Sequence, residues 1–92
     1  MMELQGIKDL IPFLSLLRDE KVHFFLEQHS FDSVTVTFTI VGFRVEVYFY
    51  EDYVNFSYFK GDEGVSSNPE LLLAFAKGDY TFLEALGIAD KK

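Results

Sequence analysis

Three consecutive segments of the chain alternate apolar and polar residues, and this alternation constrains the fold more than any other feature of the sequence. The segments span residues 34–40, 43–50 and 53–59 and are rich in Val, Thr, Tyr and Phe. Alternation with a period of two is typical of β-strands that have one buried face and one face in solvent. The sequence therefore predicts three sequential strands of an antiparallel sheet.

The short connections between these segments predict one consistent register. If residues 41–42 and 51–52 are both two-residue loops, the apolar residues of each strand lie opposite apolar residues of the next. Gly42 supplies the positive φ that a tight turn needs, whereas Glu51 followed by Asp52 is a less favourable turn pair. The predicted apolar face consists of Val34, Val36, Phe38, Ile40, Phe43, Val45, Val47, Phe49, Val54, Phe56 and Tyr58. The predicted polar face consists of Thr35, Thr37, Thr39, Arg44, Glu46, Tyr48, Tyr50, Tyr53, Asn55, Ser57 and Phe59.

The segment before these strands predicts a helix that covers the apolar face. Residues 3–18 carry apolar side chains at intervals of three and four, which is the stripe of a helix lying on a sheet. Pro12 interrupts the stripe without changing its phase, which favours one helix with a kink at the proline. The alternative is a short helical turn ending near Leu10 and a second helix that starts at Pro12.

The C-terminal third of the chain predicts a loop followed by helices. Glycines and a Ser-Asn-Pro sequence between residues 60 and 69 are typical of loops. Asn68 followed by Pro69 predicts the start of a helix that ends at Gly78. A second short helix is expected over residues 80–86, capped by Gly87.

One further segment fits either a strand or a helix. Residues 22–28 contain an apolar run with two Phe. The short length of this segment favours a strand. Residues 29–33 then form the turn into the alternating segments. The predicted fold class is α+β: an antiparallel meander sheet of three or four strands, with N- and C-terminal helices packed on one face.

Composition narrows the classes of function. The chain has 92 residues, which is the size of one domain, so residues 1–92 are expected to form a single α+β domain. No cysteine is present, which excludes disulfides and thiolate chemistry. A net charge of −7 disfavours nucleic acid as a partner and favours a basic protein. Because no signal peptide or long apolar run is visible, we expect a cytoplasmic protein that does not span a membrane.

The titratable residues form no recognisable catalytic or metal-binding motif. His23 and His29 have neither a nucleophile nor a metal-ligand spacing beside them and are interpreted as ordinary surface or strand residues. We therefore predict that the chain is not an enzyme and uses no cofactor or metal. The alternative in the enzyme class is a small hydrolase or isomerase that uses Glu46 with Tyr48.

The polar face of the sheet is the candidate partner-binding surface. It is rich in Tyr and carries an Arg, and both residue types are enriched at the energetic centres of protein interfaces. Two acidic pairs in predicted loops lie next to this face and would attract a basic partner. The predicted partner-binding residues are Arg44, Glu46, Tyr48, Tyr50, Tyr53, Phe59, Glu51, Asp52, Asp62 and Glu63.

The hairpin core carries a resemblance to known proteins. The sequence of residues 42–52, with the alternation over 54–59 and the Gly-Asp-Glu at 61–63, resembles small acidic bacterial proteins. Some of these are similar to immunity proteins of polymorphic toxin systems. The resemblance implies a cytoplasmic protein that binds and blocks a cognate toxin, and it assigns no individual binding residue. The alternative role is a structural subunit that self-associates as a homodimer.

Overall fold

A computed structural model describes residues 4–40, 42–60 and 62–86, with all their side chains except those of Asp62, Glu63 and Tyr80. A single turn of 3₁₀ helix precedes three α-helices and five strands. In chain order the elements are the 3₁₀ turn Ile7–Asp9, α1 Leu10–Asp19, β1 Phe24–Ser30, β2 Ser33–Ile40, β3 Phe43–Tyr50, β4 Val54–Lys60, β5 Asp62–Ser66, α2 Pro69–Lys77 and α3 Tyr80–Ala85.

The strands form one antiparallel sheet in which each strand pairs with the next along the chain. The spatial order is β1-β2-β3-β4-β5, an open meander of five strands. This confirms the predicted α+β class and meander topology. The sheet has five strands, whereas three or four were predicted.

The predicted register of the three central strands is confirmed. Ile40 lies opposite Phe43 across the first hairpin, and Phe49 lies opposite Val54 across the second. Gly42 has a φ of 84°, as the first tight turn requires. Its loop partner, residue 41, lies outside the described residues. The second loop closes with a hydrogen bond of 2.9 Å from the Tyr50 amide to the Tyr53 carbonyl.

The ambiguous segment at residues 22–28 is a strand, β1, as favoured. It begins two residues later than predicted and continues to Ser30, so only Phe31 and Asp32 form the turn into β2. The pairing of β1 with β2 shifts by one residue between Glu27 and Ser30, which is a β-bulge. The bulge accommodates one extra residue of β1, which has no partner of its own in β2.

The predicted loop after β4 is wrong over residues 62–66, which form β5. Its backbone pairs with the edge of β4, and Tyr58 lies opposite Gly64. A Cβ added at Gly64 would overlap the ring of Tyr58, so this glycine makes room for an aromatic ring that crosses the strand. Glycines commonly indicate loops, and here one instead permits a close packing contact within a strand.

The N-terminal helix also differs from the kinked helix predicted over residues 3–18. A 3₁₀ turn at Ile7–Asp9 leads directly into α1, which begins at Leu10. Pro12 therefore lies in the first turn of α1, where the backbone N–H groups have no partner within the helix. A proline at that position costs no helical hydrogen bond, so the helix needs no kink there. The arrangement resembles the predicted alternative of two helical pieces.

The C-terminal helices match their predicted signals. The Asn68 side chain accepts a 2.9 Å hydrogen bond from the Glu70 amide and caps α2. Gly78 ends α2 in the left-handed conformation with a φ of 65°. Asp79 caps α3 by accepting a 3.1 Å hydrogen bond from the Phe82 amide. The predicted cap at Gly87 lies outside the described residues.

The helices pack on the apolar face of the sheet, and two Phe side chains make the central contacts. The ring of Phe13 in α1 lies 6.2 Å from Phe38 and 5.6 Å from Phe49. The ring of Phe75 in α2 lies 5.1 Å from Phe43 and 6.3 Å from Phe56. The buried helical residues are Phe13, Leu14 and Leu17 of α1, Leu71, Leu72, Ala74, Phe75 and Ala76 of α2, and Leu83 of α3.

We expect Phe56→Ala to lower the free energy of unfolding by about 3–5 kcal/mol, because Phe56 is buried and its removal leaves a cavity beside Phe75. Urea denaturation of both proteins measures the difference. Phe31→Ala is the matched control, since Phe31 is 95% exposed in the β1–β2 turn. The control should change stability by less than about 0.5 kcal/mol. Equal losses from the two variants would contradict the described core.

Candidate partner-binding face of the sheet

The side of the sheet opposite the helices is not covered by any described element. We call it the open face. Its β1 and β5 positions follow from the register, in which Phe25 lies opposite Thr37 and Val65 lies opposite Ser57. The open face consists of Phe25 and Glu27 of β1, Thr35, Thr37 and Thr39 of β2, Arg44, Glu46, Tyr48 and Tyr50 of β3, Asn55, Ser57 and Phe59 of β4, and Val65 of β5.

Three side chains of β3 form a polar network at the centre of the open face. The Arg44 guanidinium donates to Oε2 of Glu46, with its Nε 3.2 Å away and its Nη2 closer. The Tyr48 hydroxyl donates to Oε1 of Glu46 at 2.8 Å. Both carboxylate oxygens are therefore held by neighbours two residues away on the same strand. The alternation of β3 places all three side chains on one face.

This network changes the acidity of its members. The hydrogen bond from Arg44 lowers the pKa of Glu46, and the bond from Tyr48 lowers it further against the opposing effect of burial. The same contact with Glu46 raises the pKa of Arg44 above its ordinary value. Glu46 is therefore an ionised hydrogen-bond acceptor at neutral pH. A general acid or base works best when its pKa lies near the working pH, and this environment moves Glu46 away from it.

Aromatic rings lie on both sides of the network. The guanidinium carbon of Arg44 lies 5.6 Å from the ring centroid of Phe59 on β4, which is a cation–π contact. At the other end of β3, Tyr50 stacks on Tyr53 with ring centroids 4.4 Å apart and ring planes 12° apart. Tyr53 precedes β4 rather than lying within it, and half of it is exposed. Desolvation, followed by the influence of Tyr50, raises the pKa of the Tyr53 hydroxyl.

An acidic group surrounds the Tyr50–Tyr53 stack. Glu51 and Asp52 form the exposed β3–β4 turn, and Asp32 lies in the β1–β2 turn at the same end of the sheet. The extended chain at Gly6 packs on this end, because a Cβ at Gly6 would overlap the carbonyl oxygen of Glu51. The backbone contact fixes the position of the turn that carries the acidic pair.

The second predicted acidic pair lies elsewhere. Asp62 and Glu63 are the first residues of β5 and do not lie in a loop. Glu51 and Asp52 precede β4, whereas Asp62 and Glu63 follow it. The seven residues of β4, at about 3.3 Å each, therefore place the two acidic pairs roughly 20 Å apart. The positions of these two side chains are outside the description. The predicted binding residues thus cover the length of the sheet.

Two apolar residues of the open face were missed by the sequence prediction. Phe25 of β1 is 71% exposed and Val65 of β5 is 68% exposed, and they lie in the same row across the sheet. The apolar residues of β1 are consecutive, so its sequence shows no alternation. Phe25 is assigned to this face only by the pairing of β1 with β2. Val65 was missed because its segment was predicted as a loop.

Two small residues predicted to be solvent-exposed are buried on the open face. Thr35 and Ser57 lie between longer side chains of the adjacent strands and are only 2% and 4% exposed. Thr35 is flanked by Glu27 and Tyr48, and Ser57 is flanked by Glu46 and Val65. The surface of the open face is therefore formed by its long and aromatic side chains.

Three clefts of the described surface are lined by residues outside the polar network. One of them has a volume of about 370 Å³ and lies among the helices, beside Leu16, Leu73 and Phe82. The described side chains include no group of three or more His, Asp or Glu residues that could hold a metal ion. Over the same ranges, no helix is long and apolar enough to cross a membrane.

The chain matches no protein-family model, no curated protein and no solved structure with which it was compared. What the open face can bind must therefore be inferred from its own geometry and charge.

We expect the Glu46 network to make stability sensitive to acid. The pKa of Glu46 in the folded protein lies below its ordinary value of 4.5, so the network stabilises the fold above that pH and less as the pH falls through the folded pKa. Glu46→Gln should therefore lose less stability than wild type between pH 7 and pH 3. Urea denaturation at the two pH values measures the difference.

Arg44→Gln is the matched control for this experiment, because it removes the main cause of the lowered pKa and keeps the carboxylate. It should reduce the acid sensitivity in the same direction. The double variant should add little to either single variant, because the two residues act on one interaction. An acid sensitivity that is unchanged in Glu46→Gln would contradict the network as described.

Proposed function

We propose that this chain is a non-enzymatic binding module that captures a basic protein on the open face of its sheet. The observation that carries the proposal is that a five-stranded sheet has helices on one side only, while its other side presents aromatic residues around an ordered Arg–Glu–Tyr network. An exposed surface that combines apolar and polar groups in this way is characteristic of protein interaction sites.

The side chains of the open face are suited to rigid recognition. Glu46 holds both Arg44 and Tyr48 by hydrogen bonds, so these groups lose little conformational freedom when a partner binds. The stacked Tyr50 and Tyr53 provide a second preorganised surface. Tyr and Arg contribute disproportionately to binding energy at the centres of interfaces. The exposed Phe25 adds apolar area on the β1 side.

Charge favours a basic partner. The chain carries a net charge of −7, and three exposed carboxylates of Asp32, Glu51 and Asp52 lie at one end of the open face. Such a distribution attracts cationic proteins at long range and raises their association rate. Arg44, which lies on the open face, is already paired with Glu46 and does not oppose this attraction strongly.

The biological role that fits best is inhibition of that partner. The resemblance of the hairpin core to immunity proteins of polymorphic toxin systems supports an immunity- or antitoxin-like role in the cytoplasm. A small acidic protein that covers the basic surface of a toxin can block the surface through which the toxin binds its target. Inhibition needs tight binding but no catalytic group in the inhibitor.

The hydrolase or isomerase that uses Glu46 is less well supported. Hydrogen bonds occupy both oxygens of Glu46, and the pKa of Glu46 is lowered. The residue also lies on a sheet surface and does not line the clefts described above. A turnover in a broad substrate screen that Glu46→Gln abolishes, with an unchanged melting temperature, would favour this alternative.

Capture from a lysate of the native host, followed by binding measurements on the purified partner, tests the proposal. Tyr53→Ala should weaken binding at least about tenfold by raising the dissociation rate, since it removes a preorganised aromatic side chain. Asp52→Lys should mainly lower the association rate and the dependence of that rate on salt. Stopped-flow or surface-based kinetics at several salt concentrations separate the two effects.

Ile11→Ala is the matched control, because Ile11 is exposed on α1, on the helical side of the molecule. It should leave both rates unchanged. Failure to capture any basic protein would contradict the proposal, as would a partner that binds equally well to Tyr53→Ala and Asp52→Lys. Binding that Ile11→Ala weakens and Tyr53→Ala does not would place the interface on the helices.

A further inference from the structure

We propose that two copies of this chain pair edge to edge through β1, in antiparallel orientation, and join their sheets into one of ten strands. This inference is independent of the partner proposed above. It rests on the exposure of β1, on the direction of its backbone groups and on the self-complementarity of its sequence.

β1 is the sheet edge that is better suited to pairing with another chain. It has seven residues, six of them exposed, and its apolar Phe25 and Leu26 are 71% and 49% exposed. The other edge, β5, has five residues and begins with Asp62 and Glu63. Short edges and edge charges discourage pairing with another chain, whereas a longer edge with exposed apolar residues favours it.

The hydrogen-bond pattern shows which backbone groups of β1 point outward. The bond from the Tyr50 amide to the Tyr53 carbonyl means that even-numbered residues of β3 bond to β4 and odd-numbered ones bond to β2. The register then extends this alternation to β2, whose even-numbered residues bond to β3 and whose odd-numbered residues bond to β1. The backbone groups of Thr37 therefore bond to its partner in β1, Phe25. The N–H and C=O groups of Phe24 and Leu26 therefore point away from the sheet.

A two-fold axis at Phe25 uses these outward groups. Phe24 of one copy then lies opposite Leu26 of the second copy, and each such pair exchanges backbone hydrogen bonds. Phe25 lies opposite itself in the closely spaced pair between them, on the open face. Aromatic pairs at such positions stabilise strand pairing.

The polar side chains at the ends of this pairing are complementary. In the same register Glu27 lies opposite His23 of the second copy, and the reverse pair forms by symmetry. An imidazole can donate a hydrogen bond to a carboxylate in either protonation state. The Glu27 side chain, which contacts His29 at 3.3 Å within its own chain, is 56% exposed and is therefore accessible to the second copy. The alternative axis at Leu26 would place Glu27 opposite the apolar Phe25 and is disfavoured.

We expect a dimer that dissociates on dilution. Edge pairing of a few residues is small compared with the roughly 1,200–2,000 Å² that stable complexes bury. Sedimentation velocity over a dilution series from millimolar to micromolar protein should show the dimer at the upper end. Salt should strengthen it, because the two copies carry a net charge of −7 each and their repulsion is screened. Binding of a basic partner should show the opposite salt dependence.

Three substitutions to lysine, each of which adds the same charge, distinguish pairing through β1 from pairing through β5. Phe25→Lys should weaken the dimer roughly tenfold or more, because it removes both rings of the central pair and opposes like charges. Phe31→Lys in the turn and Val65→Lys on β5 should leave the dimer at wild-type strength, since both residues are exposed away from the β1 pairing. A chain that stays monomeric at all concentrations overturns the proposal, as does a dimer that only Val65→Lys dissociates.

Amide hydrogen exchange provides a second measurement that needs no variant. The amides of Phe24 and Leu26 should become more protected as the concentration of the wild-type protein rises. The amides of Phe25 and Glu27 bond to β2 in the monomer and should change little. Concentration-dependent protection confined to the helices or to β5 would overturn the proposed pairing.

Discussion

The rest of the structure depends on the contact of two phenylalanine rings, one from each end of the chain, with one face of the sheet. Phe13 packs against Phe38 and Phe49, and Phe75 packs against Phe43 and Phe56. These contacts bring the N- and C-terminal helices onto the same side of the sheet and leave the other side uncovered. A chain of this size can bury only a limited core. Its apolar residues are used to cover one face of the sheet, and they are then not available for a second layer on the other face.

How much of the fold was predictable depended on whether a segment carried its own local signal. The alternation of β2, β3 and β4 predicted their register correctly, because a shift of one residue would have exposed every apolar side chain of the face. Asn68 and Gly78 predicted the ends of α2 through capping chemistry. The β5 strand had no such signal: Gly64 is explained only by the ring of Tyr58, which lies beside it in space. The effect of Pro12 likewise depends on where α1 begins, because a proline kinks the interior of a helix but not its first turn.

The candidate site was predictable where it lay on the alternating strands. The β3 pattern placed Arg44, Glu46 and Tyr48 on one face, and their hydrogen-bonded arrangement follows from that placement. Phe25 could not be assigned in the same way, because its face depends on the pairing of β1 with β2. The separation of Asp62 and Glu63 from the other acidic pair also required the topology. Residues assembled by pairing between strands are thus the part of a surface that one sequence specifies least directly.

The meander order of the strands has a consequence for how the molecule folds. Each strand pairs with its neighbour in sequence, so every hairpin closes over a short loop and loses little chain entropy. Topologies built from such local pairings fold faster than those that need distant strands to meet. The packing of α1 beside α2 is different, because it joins segments separated by the whole sheet. The contact between α1 and α2 therefore closes a far longer loop than any of the hairpins and costs more chain entropy to form.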